Sequence, residues 1–520
     1  MSPTKNRSQS IFRGPLLAVI ATFSVASGLS AAQESPLAES GGGEVRVSFA
    51  EVIDREFGKG VTPEANALTK IYEAIGPRPE GNLQSEEYFR RLGIPVPPDT
   101  GNYFQEYSYG LTGEASRVAI ETHDKAMGGP WTEEQFPELA KWLQDNQKML
   151  EIIHEASLRD QWYYPVFDQK DKDGKPVGLI AMLLPHVQKM RGLARAFLIR
   201  SNLHLANNEP EKAWDDMQTC HRLGRLTARG PTLIDFLVGV AINSMASHAE
   251  LRLLSDTKLT EKQIDRFLDD LTKLKPMPQV TANVNITERM LFNDCVSLIR
   301  DGHLSISELD GLTNEEKGPF EQPFLRALVD WGVVLKKGNE AYDELVAALE
   351  IQDVEKRRTR LVEIDQKWKE IRSKFDASSI LKDYVKTGSA SAVASDRMAD
   401  AMISMLMPAL RAVDTAQLRC LQTNQNLLLA FQLQKFKART GSYPDSLEAL
   451  ETALSITVPQ DLCTNAPLHY SKTDTGYLLY SVGTNGIDEG GKSWNDPPLN
   501  PQGVRGDDNV VRMPVPVEME

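Results

Sequence analysis

His154-Glu155 begins the pattern in which two histidines one helical turn apart hold zinc beside a glutamate base. Ala156-Ser157-Leu158 follows, however, and no second histidine arrives. Asp171, Asp173 and Gly174 carry part of the spacing of a calcium loop. With Gln169 as its first position, Ile180 stands where the closing bidentate glutamate belongs, so a turn is expected there instead. Neither a Gly-x-Ser-x-Gly elbow nor a phosphate-cradling Walker loop occurs. The eight histidines are scattered through mostly helical surroundings, where a hydrogen-bonded structural role is the expectation. Carboxylates are so abundant, at 72 Asp+Glu, that acid pairs can be drawn anywhere, and the separation a glycosidase needs is spatial. Trp162, Tyr163 and Tyr164 have faces suited to a carbohydrate or peptide groove, and packing between helices accounts for them equally. No catalytic residue is nominated.

The elements that would position any site come from a chain of 520 residues, enough for more than one domain. With 41% hydrophobic and 25% charged residues it has the composition of a globular protein able to bury a large core. A net charge of −14 argues against a surface that tracks nucleic acid, while leaving room for a local basic patch. Lys5, Arg7 and Arg13, an apolar run from Leu16 to about Leu29, and Ser30-Ala31-Ala32 form the three parts of a secretory signal peptide over 1–32. The run falls short of the ~20 residues of a spanning helix, so cleavage is expected over an uncleaved signal anchor, leaving no transmembrane span. Export to the periplasm or the exterior follows. Residues 33–44, ending in Gly41-Gly42-Gly43, read as a flexible leader.

Export also changes how cysteines are understood, because an oxidising compartment permits disulfides. Cys220, Cys295, Cys420 and Cys463 lie in no Cys-x-x-Cys pair and at no zinc spacing. Cys420 and Cys463 share the C-terminal segment and are the candidate disulfide; the alternative is two small buried hydrophobes.

From 45 to 398 the signals are those of an α-helical domain. Capping boxes are expected at Thr132 with Gln135, Thr260 with Gln263 and Thr313 with Glu316. Val187, Met190, Ala194, Phe197, Ser201 and His204 recur at steps of three and four, one face of a helix. A second helix opens near Glu209-Pro210 with Ala213, Met217 and Cys220 as its inner stripe. The pair looks like one tetratricopeptide-type hairpin, but no second copy follows at that period, so solenoid-like stacking stays open. Residues 338–386 are highly charged with mixed signs, the pattern of a solvated helix face. The small polar run Thr387-Gly388-Ser389-Ala390-Ser391 marks the domain boundary.

The last segment, 399–520, predicts a helix from about Ala399 to Thr440, with Leu410, Val413, Cys420, Leu427 and Phe431 in one narrow stripe. Leu468-His469-Tyr470 and Tyr477 to Val482 predict two strands around the turn Lys472 to Gly476, and Val510 to Met513 a third. A long helix laid on a small antiparallel sheet is an α+β core able to stand alone.

Gly441-Ser442-Tyr443-Pro444-Asp445, Pro459-Gln460-Asp461, Pro467-Leu468-His469-Tyr470, Tyr480 to Asp488 and Asp507-Asp508-Asn509-Val510, in that order, resemble the soluble domain of type II secretion major pseudopilins. In that family a turn and an acidic pair before the last strand hold calcium. The resemblance therefore implies Asn485, at the family's turn aspartate, and the pair Asp507 and Asp508 as ligands. Hard cations of this kind take several oxygens from loop carboxylates and carbonyls. Asp488 joins the candidates on composition. Two departures stand out: residues 490–506 lengthen a loop that is compact in the family, and the pilin-like part begins some 400 residues into the chain. Its leading helix carries Asp400, Pro408 and Arg411, too polar to span a bilayer, so filament assembly is not implied. The whole chain also resembles exported proteins of planctomycete-type bacteria, which brings no activity with it.

The expected function is an exported, non-enzymatic interaction or scaffold protein of the bacterial cell envelope with a calcium-binding C-terminal domain and a protein partner. The alternative is an envelope hydrolase whose active site lies in the helical body.

Overall fold

The structure is a computed structural model that describes residues 48–79, 84–181, 184–306, 323–373, 383, 386–407 and 409–516. The expected signal peptide, the expected leader and the expected Thr313–Glu316 box lie outside them. The chain is mainly helical, with a three-stranded antiparallel sheet near its C-terminus.

Among the described residues six helices come first: α1 (Phe49–Gly58), α2 (Ala67–Ile75), α3 (Glu86–Leu92), α4 (Gly113–Gly128), α5 (Pro137–Asp145) and α6 (Gln147–Ser157). Ser48, Asn66 and Ser85 cap three of them by accepting from backbone N–H groups of the first turn. Gln135 Oε1 accepts from the Thr132 N–H at 2.8 Å, but the helix itself starts later, at Pro137. The Asp171 to Gly174 segment is the expected turn. It joins β1 (Gln169–Lys170) to β2 (Pro176–Val177), and Asp171 Oδ1 accepts from Asp173 N and Lys175 N.

The expected helical pair is α7 (Pro185–Ala206) and α8 (Pro210–Thr227), packed against each other. Met190, Ala194, Phe197, Ala213, Met217 and Cys220 are all fully buried. Helix α9 (Leu233–Asp256) then packs on α8, and glycine explains how closely. A Cβ at Gly239 would lie 2.3 Å from Gly224 O, so the two backbones meet where neither residue has a side chain. Thr232 and Asp235 close a capping box at the start of α9, and Thr260 and Gln263 close the expected one before α10 (Glu261–Lys273). A π-helical turn (Asn283–Glu288) leads into α11 (Arg289–Asp301). Beyond it lie α12 (Pro323–Leu328), α13 (Trp331–Leu349) and α14 (Val354–Ser373).

The helix predicted from Ala399 to Thr440 is two helices, α15 (Ala390–Leu406) and α16 (Leu410–Thr440). One helix ends at Leu406 and the next begins at Leu410, and the sequence between them has a proline at 408, which offers no N–H to a continuing helix. After α17 (Leu447–Leu454), β3 (His469–Lys472), β4 (Tyr477–Ser481) and β5 (Asn509–Met513) pair in the order β3-β4-β5, as expected. Leu479 stands opposite both Tyr470 and Val511, and Tyr477 opposite Met513, so one face presents apolar side chains to α16.

The stripe expected to lie on that sheet is divided between two cores. Leu410, Val413 and Cys420 join a core built with α9, α11, α13, α14 and α15. Leu427 and Phe431 join a second core that contains both the sheet and α7 to α10; there Phe431 meets Trp214 edge-on at 5.5 Å. Length explains this. A helix of 31 residues is about 46 Å long, whereas a five-residue strand spans only about 17 Å. The sheet covers part of one side of α16, and the body covers the rest.

Candidate functional site

The loop between β4 and β5 holds the four expected ligands, and its path depends on Gly483. At φ +70°, a Cβ there would sit 2.1 Å from Asp507 O, so only glycine lets the two ends of the loop touch. Asp507 is already engaged. Its Oδ2 accepts from Thr484 Oγ1 at 3.0 Å and Asn485 N at 2.9 Å, while its Oδ1 pairs with Arg419 of α16. Asp488 is engaged with other partners: Oδ1 accepts from Tyr480 OH at 3.1 Å and Gly490 N at 2.8 Å. Its other oxygen lies 3.8 Å from His469 Nδ1.

Asp508 differs from both. Its Oδ2 accepts from Gly491 N at 2.7 Å and Lys492 N at 3.1 Å, but its Oδ1 is buried and has no donor. The residue is 3% exposed. The group facing it is Glu489, and burial together with that second carboxyl pushes Asp508 up to about 6. Glu489 is itself held on both sides: Oε1 accepts from Asn485 Nδ2 at 2.6 Å and Oε2 from Asp507 N at 3.1 Å. Asn485 thus orients Glu489, while its own Oδ1 accepts from Ile487 N at 2.8 Å. The four expected ligands do not converge as a set. The loop instead gathers Asn485, Asp507 and Asp508 around Glu489, and leaves one uncompensated oxygen on Asp508.

Sequence reasoning missed Glu489. Its signal was an acid set immediately before Gly490-Gly491, where close backbone approach is possible. The 490–506 extension folds back onto the site, supplying the Gly491 and Lys492 donors and tying Asp496 to Arg512 at 2.9 Å. Among the described residues no group of three or more His, Cys, Asp or Glu is arranged to hold a metal. Of the loop's carboxylates, Glu489 and Asp508 are the pair that face each other, and a cation between them would need loop carbonyls and water to complete its shell.

Elsewhere, two histidines, His221 and His186, are enclosed. His221 is fully buried, with Nδ1 2.8 Å from Asn243 Oδ1 and Nε2 2.9 Å from Glu250 Oε2. Gln218 donates to Glu250 at 3.1 Å and Arg225 to Asn243 Oδ1 at 2.5 Å, so the network ties α8 to α9. His186 is buried between Trp162 and Tyr164, 3.5 Å from Asp235. His154, the start of the incomplete zinc pattern, has its Nδ1 2.8 Å from Thr219 Oγ1. Trp162 and Tyr164 are core residues, and Tyr163 donates to Asp54. All four cysteines are free and buried. Cys420 Sγ accepts from Asn243 Nδ2, and burial pushes Cys420 and Cys463 each up to about 11, the state of inert thiols.

Compared with known proteins, the chain matches no family model, no curated protein and no solved structure.

Proposed function

We propose that the protein is an exported, non-catalytic scaffold or interaction protein of the bacterial cell envelope. In this reading its C-terminal helix-and-sheet part is a pseudopilin-like unit that binds calcium at the β4–β5 loop. The observation that carries it is the Asp508 Oδ1 atom, buried, without a donor and facing Glu489. Two carboxyls in that position must either share a proton or accept a cation, and a hard divalent ion answers both charges at once. Glu489 and Asp508 would hold the ion. It would cross-link the loop to the start of β5, while Asp507 stays with Arg419 and fastens the same loop to α16. The long helix followed by three antiparallel strands supports the pseudopilin-like shape, and the α7–α8 hairpin supports a body built from stacked helical pairs. The enclosed His221 and His186 networks fit a scaffold better than a hydrolase.

Thermal melting of the full chain in millimolar calcium, against chelator and against magnesium, tests the reading. Calcium at about a hundredfold excess over Kd would add about 2.7 kcal/mol of stability. The gain should vanish in Asp508→Asn and Glu489→Gln and persist in Asp488→Asn. A melting temperature indifferent to calcium would remove the proposal.

A further inference from the structure

A cleft of about 360 Å³ opens between the end of α6, the outer face of α8 and the end of α10. In a chain of net charge −14 its lining carries seven cationic side chains against three carboxylates. The carboxylates are already taken. Asp160 pairs with Lys275 at 2.5 Å, and Asp215 and Asp270 both lie against Arg266, at 3.2 and 3.7 Å. Lys273 pairs with Asp269. Arg159, Arg222, Arg225 and Arg229 remain, and among the described residues none of them forms an ion pair.

Neutral acceptors orient these four guanidinium groups. Arg222 donates to Ser157 Oγ and Thr219 Oγ1, both at 3.2 Å. Arg225 donates to Lys275 O at 2.6 Å and Asn243 Oδ1, Arg229 to Asp160 O at 2.6 Å, and Arg159 to Asn66 O at 2.8 Å. Arg222, Arg225 and Arg229 recur at steps of three and four, which sets them in one stripe along α8 and its exit. Burial pulls Arg222 and Arg225 below the usual guanidinium range, Arg225 to about 10, and both stay cationic at neutral pH. Leu158, Leu226 and Leu274 form the apolar part of the lining.

The volume falls in the range of small-molecule sites and exceeds what a lone inorganic anion fills. Three guanidinium forks on one stripe match an anion with three terminal oxygens and two charges better than a carboxylate with two oxygens and one charge. We propose that this cleft binds a small phosphate monoester, its phosphoryl group among Arg222, Arg225 and Arg229 and its organic part against the leucines. The proposal is independent of the calcium loop.

Calorimetric titration of the full chain at low salt, with phenyl phosphate, inorganic phosphate and phenylacetate as probes, tests it. Phenyl phosphate should bind with one equivalent and more tightly than either of the others. Arg222→Gln and Arg229→Gln should each weaken it about tenfold. Leu158→Glu, at a rim position 59% exposed, changes neither an arginine nor the core and should weaken it comparably. Circular dichroism melts identify any variant that fails to fold. Absence of saturable heat with phenyl phosphate, equal affinity for phenylacetate or for inorganic phosphate, or unchanged affinity in folded Leu158→Glu would each overturn the assignment.

Discussion

Asp508 shows how one oxygen without a donor becomes measurable. Its raised titration means that the folded, calcium-free chain holds a proton which the unfolded chain has already released between about pH 4 and 6. This group's contribution to stability is therefore present below the ordinary carboxyl range and lost as pH rises through about 6. In Asp508→Asn, melting temperatures across that window should lose this downward component, whereas an unchanged pH profile would place the proton elsewhere. The His221 network makes a different prediction. Glu250→Ala leaves His221 and Gln218 buried without their acceptor and should cost about 3 kcal/mol in urea unfolding. A loss below about 1 kcal/mol would mean that the network contributes little to stability. Neither partner was legible in the sequence. His221, Asn243 and Glu250 lie on two helices, and helical periodicity places each on a face without saying which faces meet. Asp507 and Asp508 were legible only through the pseudopilin resemblance, and Glu489 became visible only when the extended loop closed.

At the scale of elements, local patterns were read well and long-range partners poorly. The three strands fell where alternation and turn chemistry put them, because Tyr477, Leu479, Val511 and Met513 share one face and Gly476 closes the hairpin. The α7–α8 pair was legible for the same reason, with Pro210 opening the second helix and Met217 and Cys220 turned inward. The far side of α16 was not. Its apolar positions were assigned to a sheet too short to cover them, and the break before Leu410 was overlooked although Pro408 was in plain view. The contact of α8 with α9 at Gly224 and Gly239 carries its own test. Gly239→Ala would set a Cβ 2.5 Å from Ala228 N as well as against Gly224 O, forcing the helices apart. Overpacking of this kind costs about 1–3 kcal/mol. Denaturant unfolding should show that loss, and a neutral substitution would mean that the helices separate without strain.

Taken whole, the described residues form two cores joined through α9 and α16, each of which gives side chains to both. The first half of α16 belongs to one, the second half to the other, and buried Arg357 on α14 pairs with Asp414 of α16 at 2.9 Å. Arg358 of the same charged segment donates to Thr484 O in the β4–β5 loop, so a stretch expected to be solvated surface also braces the C-terminal part. A fragment covering 409–516 would expose Leu427, Phe431 and their neighbours, and should melt without a cooperative transition. Cooperative unfolding of that fragment would restore the self-sufficient module inferred from the sequence. The same integration means that calcium must be tested on the intact chain. The most direct measurement is a crystal structure of the full chain grown in millimolar calcium. The expected result is a cation bridging Asp508 Oδ1 and Glu489 at the 2.3–2.6 Å typical of calcium–oxygen bonds. Two carboxyls joined by a shared proton, with no ion between them at that concentration, would contradict it.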